Sequence, residues 1–328
     1  MEIGRRSWLA VVVVAAAIVS GVLSPQASAQ SYPAKPIRLI IPFGAGDLAD
    51  TSARLLAPRM SPALGGQTIV IDNRPGASGL IDLQAALQSE ADGYTFILGQ
   101  MGGMAVAPSV NKQPFDVRKE FVAVAPAFSN YLLLVAYPGL SLKTLPDVLA
   151  YSKANPGKLR LATNGEGGFP HLAMELFREL TGLEFLHVPY KGSSQIPADL
   201  MSGRVDLAIA GYSTFMPHVN SGKMAAVATT GTKRPANSPG IGTMGEVASG
   251  YSALGWFGFF ARRGTPEHAI TAMNKAVNAA LASPEVLERA RALDLDPEPG
   301  TPKDLEATWA RDYERWSRMF RMLKIGQK

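Results

Sequence analysis

No cysteine occurs anywhere in the 328 residues. Disulfides, thiolate catalysis and cysteine-based zinc sites are therefore excluded, although an absence says nothing of the redox compartment. Histidine is scarce too. The four present, His171, His187, His218 and His268, include no pair at i,i+4 spacing and no H-E-x-x-H, so the sequence offers no metal centre. There is no G-x-S-x-G turn to expose a serine nucleophile. No block of lysine and arginine with interleaved aromatics occurs, nor any tandem repeat or low-complexity tract, which argues against nucleic acid as a partner. What is present suits a globular protein: 47% hydrophobic and 18% charged residues, and length enough for two domains of ordinary size.

One long apolar run exists. Arg5 and Arg6 precede Trp8–Val19, and "SPQASAQ" follows. This is the pattern of a secretory signal covering residues 1–29, cleaved after Ala29. The run is short for a membrane span, and small residues follow it instead of a basic flank. A retained anchor is the competing reading. "RRSWL" loosely resembles a twin-arginine signal, but ordinary Sec export is preferred. Cleavage removes Glu2, Arg5 and Arg6, so the net charge falls from +5 to +4. A mildly basic protein attracts anions.

The rest alternates short apolar runs with amphipathic stretches, which predicts an α/β fold with mostly parallel strands. Strands are expected at Ile37–Phe43, Thr68–Asp72, Thr95–Gly99, Val122–Phe128, Tyr131–Tyr137, Lys158–Ala162, Phe185–Val188, Val205–Ala210, Met224–Thr229 and Trp256–Phe260. Thr144 and Asp147 form a capping-box start. A helix over Pro170–Leu180 ends at Thr181-Gly182 and carries Leu172, Leu176 and Leu180 on one face. Thr230–Gly250 reads as a loop rich in Gly, Pro, Ser and Thr. In the tail, Trp309, Tyr313, Trp316, Phe320 and Leu323 make one apolar helix face, with Arg311, Arg315, Arg318 and Arg321 largely off it. That predicts a surface helix with solvated arginines; a contact for a membrane partner is the alternative.

The stretch "IIPFGAGDLADTSAR" holds the first functional question. Gly44-x-Gly46-x-x-Ala49 fits a dinucleotide fingerprint between a strand and a helix, and Asp72 lies where a ribose-binding acid could sit. Asp47 and Asp50 oppose that reading, because carboxylates at a helix start repel a pyrophosphate. Export would also remove the chain from the cytoplasmic nicotinamide pool. The plainer reading is a tight turn capped by an aspartate. A helix start of this kind also binds carboxylates. A second stretch, "LATNGEGGFPHL", repeats the design with Asn164, Gly165, Gly167 and Gly168 before a helix. Two such starts, one per domain, can converge on one anion across a cleft. His171 reads as a structural hydrogen-bonding residue, Ser193 and Ser194 as a helix cap, and Lys191 as a solvated charge.

The tracts "YPAKPIRLIIPFGAG", "NRPGASG", "DGYT", "HVPYKGSS", "PHVNSGKMAAVA", "WFGFFARRGTP" and "SPEV" resemble, in order, the tripartite tricarboxylate transporter receptor family, the Bug-type periplasmic solute-binding proteins. The likeness runs from Tyr32 to the C-terminal helix. It implies a two-domain, type II-like periplasmic binding fold: two Rossmann-like α/β domains, a hinge of two crossings, and a ligand cleft. The divisions expected are residues 30–130 with 254–328, and residues 131–253. It also implies a periplasmic, non-catalytic monomer without cofactor, a small carboxylate ligand and a tripartite membrane permease as partner. The alternatives are a sensory receptor of the same fold signalling to a membrane kinase, and an exported dinucleotide-binding enzyme.

Carried onto this sequence, the family's site comprises Phe43, Gly44, Ala45, Gly46, Asp47 and Asp50 from the first loop, and Met101 and Gly102 after the third strand. The second domain supplies Asn164, Gly165, Gly167, Phe169, His171, Gly211 and Tyr212. Backbone amides at Gly46–Asp47 and Gly165–Gly167 would hold the carboxylate, Phe43, Phe169 and Tyr212 would shape the pocket, and Asp50 would cap and order its loop. The sequence departs from the family pattern twice. Asp47 stands in a usual glycine position, and Ala210-Gly211-Tyr212 lacks the acid and amide that relatives often carry there. A buried ammonium without a counter-charge is costly. The second departure therefore predicts a carboxylate without an amino group, aromatic or dicarboxylic, with Asp47 the group that could reverse this.

Overall fold

The computed structural model describes residues 32–76, 79–110, 113–190, 195–235 and 238–323. The expected signal and the calls on Lys191, Ser193 and Ser194 lie outside these. The chain opens with β1 (Ile37–Ile41), α1 (Leu48–Met60), β2 (Ile69–Asn73), α2 (Leu80–Leu87), β3 (Thr95–Gln100) and β4 (Phe121–Asn130). After one intervening residue come β5 (Leu132–Ala136), α3 (Leu145–Ala154), β6 (Arg160–Thr163), α4 (Phe169–Thr181), β7 (Leu186–Pro189), α5 (Ile196–Met201), β8 (Leu207–Gly211), α6 (Tyr212–Asn220) and β9 (Ala225–Thr229). The return brings β10 (Gly255–Arg262), α7 (Glu267–Leu281), α8 (Pro284–Ala292), β11 (Leu295–Pro297) and α9 (Pro302–Leu323).

Two sheets result, ordered β11-β4-β10-β3-β1-β2 and β7-β6-β8-β5-β9. They share a plan. In each, the first strand of the unit, β1 or β6, lies between the second and the third. A strand from elsewhere in the chain, β10 or β5, then separates the third from the fourth. The parallel ladders are β1–β2, β1–β3, β6–β7 and β6–β8. β10 runs antiparallel to β3 and β4, β5 to β8 and β9, and β11 to β4. β1 to β4 therefore run one way in the first sheet and β6 to β9 one way in the second, in line with the expectation of mostly parallel strands, and β10, β11 and β5 are the reversed ones. β5 and β10 are where the chain arrives from the other sheet. They come without a crossover helix and so enter from the opposite end.

The strand boundaries otherwise agree with the sequence to within a few residues. Three elements were not anticipated: the three-residue β11, a π-helical turn at Gly102–Val106, and a short helix at Met244–Val247 inside the stretch read as loop. The π turn gives no apolar period, and β11 is too short to show one.

α9 packs along both lobes. Leu305 lies against the backbone of Gly258, where an added Cβ would meet its methyls at 2.7 and 2.8 Å. Trp309 donates Nε1–H to Met104 O at 2.8 Å and meets Phe260 edge-on at 5.0 Å. About two turns further, Trp316 meets Phe169 of α4 edge-on at 5.8 Å, and Arg318 pairs with Glu179 at 3.2 Å. The predicted apolar face is therefore real, with Trp309, Trp316 and Phe320 buried. The arginines are not all idle, since Arg315 donates to Ser252 O. On α4 the leucine stripe is interrupted at Leu180, which is 43% exposed.

Candidate functional site

The first glycine-rich loop follows β1. Gly44, Ala45, Gly46 and Asp47 are exposed. Gly46 has φ +87°, with open space around a would-be Cβ. Glycine is needed there for conformation and not for room. Asp47 caps α1, its Oδ1 accepting from Ala49 N–H at 3.1 Å. Asp50 is 2% exposed and lies beneath the turn. Its carboxylate accepts from Gly46 N–H at 2.9 Å, from Arg54 Nε at 2.9 and 3.0 Å, and from Asn73 Nδ2 at 2.9 Å. Asn73 also reaches Phe43 O at 2.9 Å. The Arg54 hydrogen bonds lead in holding the Asp50 carboxyl at about 2, against the cost of burial.

The second loop follows β6. Gly165 and Gly167 have φ of +151° and +70°, again backbone shapes that favour glycine. Gly167 N–H donates to His171 Nδ1 at 3.0 Å, so the neutral imidazole carries its proton on Nε2. That nitrogen lies 3.4 Å from Glu175 Oε1, and Glu175 is paired in turn with Arg178. The His171 ring stacks on His187 with centroids 3.7 Å apart. His187 Nε2 is 2.7 Å from Thr163 Oγ1, at the end of β6. Burial first, and His171 second, depress His187 to about 4. His187 was not a sequence candidate; it lies sixteen positions from His171 in the chain, and only the β6–β7 pairing brings the rings together.

All four expected segments lie at the carboxyl ends of β1, β3, β6 and β8, the edge where open α/β sheets bind ligands. Within them the residues divide. Gly44–Asp47 and Asn164 are exposed, Gly165, Gly102 and Gly211 are partly so, and Phe43 and Phe169 are half-buried. Asp50, Met101, His171 and Tyr212 are buried and support the loops from below. The Tyr212 hydroxyl bonds Ser238. Gly102 N–H donates to Gln100 Oε1 at 2.8 Å. The amides of Gly46 and Gly167, expected to face a ligand, are spent on Asp50 and His171. Helical first-turn amides have no partner within their own helix; in α1 that of Ala49 is taken by Asp47, and in α4 Pro170 has none to offer. The sequence reading also passed over Glu166, an exposed acid between Gly165 and Gly167.

Two alternatives lose ground here. Asp72, the would-be ribose acid, is paired with Arg38 and Arg74. Among the described residues, no group of three or more His, Asp or Glu could hold a metal ion.

Two α/β lobes of one plan, two chain crossings, and a glycine-rich helix start at a strand's carboxyl end in each sheet define the fold of a two-domain periplasmic binding protein. The sequence profile of the tripartite tricarboxylate transporter family receptor matches residues 52–325, and the chain belongs to that family. It is 35% identical to protein BugT of Bordetella pertussis over 308 residues, 92% of this chain and 93% of that one. Rpa4515 of R. palustris, solved with adipate, is similar with a TM-score of 0.75 and 33% identity, covering 90% of this chain and 99% of that one. MatC of Rhodopseudomonas palustris, solved with bound malate, has a TM-score of 0.69 and 28% identity, covering 88% and 99%. No described helix is long and apolar enough to cross a membrane.

Proposed function

We propose that this chain is a non-catalytic periplasmic receptor that captures a small carboxylate between its lobes and presents it to a tripartite membrane permease. The observation that carries the reading is the pairing of glycine-rich helix starts. One follows β1 and the other β6, and each is braced from beneath by a buried side chain, Asp50 or His171. Such helix ends suit a carboxylate. The neighbours solved with adipate and malate make dicarboxylates the first ligands to try.

The two lobes divide at residues 130/131 and 253/254, where single connections join the sheets. Ligand contact with both loops favours closure about those links. The site is formed by the exposed parts of Gly44–Asp47, Gly102, Asn164–Glu166 and Gly211, with Phe43 and Phe169 at its walls and Gly167 buried behind the second loop.

The deciding experiment is a thermal-shift screen of purified protein against mono- and dicarboxylates, amino acids and nicotinamide dinucleotides, followed by calorimetry. A carboxylate at about 100 times its dissociation constant adds roughly 2.7 kcal/mol of stability. Stabilisation by a dinucleotide, with none by any carboxylate, overturns the proposal.

A further inference from the structure

One feature that this function leaves unused is a cavity of about 420 Å³ flanking α9. None of its lining residues belongs to the glycine-rich loops. It sits where the sheets exchange chain. Ser129, next to the outgoing crossing, lines it, as do Ser252 and Leu254 on the return. Its volume lies in the range of small-molecule sites.

The walls are aromatic: Phe128, Trp256, Phe257 and Trp316 all line it. The polar groups are nearly all engaged. Asp312, 4% exposed, accepts from Trp256 Nε1 at 2.9 Å and from Arg311 Nε at 3.0 Å. Glu298 accepts from Ser129 Oγ at 2.8 Å. Asp304 caps its own turn through Thr301 at 2.7 Å. One group is left over. Trp316 is 1% exposed, and its buried Nε1–H has no acceptor. A buried donor without a partner is costly, and a ligand that supplies the acceptor recovers that cost.

The charges select the ligand further. Three carboxylates, Glu298, Asp304 and Asp312, line the cavity against the single cation Arg311. That balance disfavours an anion, and a cation brings no acceptor for the indole. We infer that this cavity is a second binding site, for a neutral aromatic or cyclic molecule carrying one hydrogen-bond acceptor oxygen. The inference is independent of the carboxylate reading. Trp316 also touches Phe169, the first residue of α4 after the second loop, so occupancy adjoins the carboxylate site without sharing it.

The test uses the ¹⁵N-labelled protein and acetophenone as probe. The Trp316 indole N–H signal, assigned by its loss in Trp316→Phe, is expected to shift saturably. The Trp309 signal, bonded to Met104 O, is expected to stay. Benzoate and benzylamine at the same concentrations are expected to leave Trp316 unmoved. Thr308→Phe, which fills the cavity from α9, should abolish the acetophenone shift while far-ultraviolet dichroism stays native; Thr308→Leu serves if the larger side chain unfolds the protein. A Trp316 signal that does not move, that drifts without saturating, that persists unchanged in the filled variant, or that answers to benzoate instead overturns the inference.

Discussion

The two glycine-rich turns solve one geometric problem with different chemistry. Each leaves the central strand of a parallel trio, β1 or β6, passes through a glycine of positive φ, and enters a helix of 13 residues. Each has one loop amide captured from beneath by a side chain four positions on, Gly46 by Asp50 and Gly167 by His171. The first brace is a carboxylate, buttressed by Arg54 and Asn73. The second is an imidazole, stacked on another and backed by Glu175. A carboxylate held at about 2 keeps its charge at any physiological pH. An imidazole accepts at Nδ1 only while that nitrogen is unprotonated. The two lobes thus share a shape but not the charge of the group that braces it.

The largest effect that would break the comparison comes from removing the first brace. Asp50→Ala leaves the Gly46 amide without an acceptor, takes one of two acceptors from Asn73 Nδ2 and removes the carboxylate partner of Arg54. The expected loss of stability is about 3 kcal/mol, since a buried charge-assisted network is costly to leave half-made. Urea denaturation measures it. A loss below about 1 kcal/mol would mean that the loop stands without its brace. His171→Ala removes a neutral acceptor and should cost less.

Next comes backbone shape. Gly167→Val places a β-branched residue at φ +70°, a genuinely strained position for such a side chain. Carboxylate affinity should fall tens-fold or more, at about 1.4 kcal/mol per tenfold, with the fold retained. Gly46→Val tests the same point in the other lobe. Unchanged affinity in either variant would remove that loop from the ligand site.

How much of this comparison was legible beforehand follows from its range in sequence. The turns were visible because glycines after a strand and before a helix are local signals, and the spacing repeats in both lobes. The strand runs were visible for the same reason. The braces were only half visible. Asp50 could be placed in the first helical turn, but its partner Asn73 arrives from the next strand. The expected cap, Asp50, is corrected to Asp47, since two aspartates three apart at a helix start look alike in sequence; Asp50 ties the loop instead. The His171–His187 stack required knowing that β6 and β7 pair. Met101 and Tyr212 follow strand ends as expected, yet local pattern cannot distinguish a side chain that lines a cleft from one that turns into the core.

A smaller effect concerns acid. His187 falls from an ordinary 6.5 to about 4 in the fold, so the unfolded chain binds the extra proton between those values. Stability from this group is whole above about 6.5 and is lost as pH falls toward 4. Asp50 works lower, its contribution present above 3.8 and lost as pH falls through about 2. Acidification from 6.5 to 4 should therefore weaken the second lobe first. Urea midpoints across this range, compared with His187→Gln, give the measurement; a variant with the same pH slope as the parent would dismiss His187 as its source.

The smallest expected effect bears most directly on ligand class. Asp47 and Glu166 place one exposed acid in each loop. For a ligand with an ammonium group, either could be its counter-charge. For an amine-free carboxylate, both are mild repulsions. Asp47 is already engaged through Oδ1 as the cap of α1, and asparagine caps a helix about as well as aspartate. Asp47→Asn therefore changes charge while keeping the cap. If the ligand lacks an amine, affinity should stay level or rise by about twofold to fivefold, consistent with loss of one exposed like charge worth up to roughly 1 kcal/mol. If it carries one, affinity should fall, and Glu166→Gln shows whether the second loop shares the charge. Calorimetry with adipate or malate against aspartate or glutamate, on parent and variant, reads both terms. A tighter complex with the amino acids that weakens in Asp47→Asn would overturn the amine-free prediction and make Asp47 the ammonium partner.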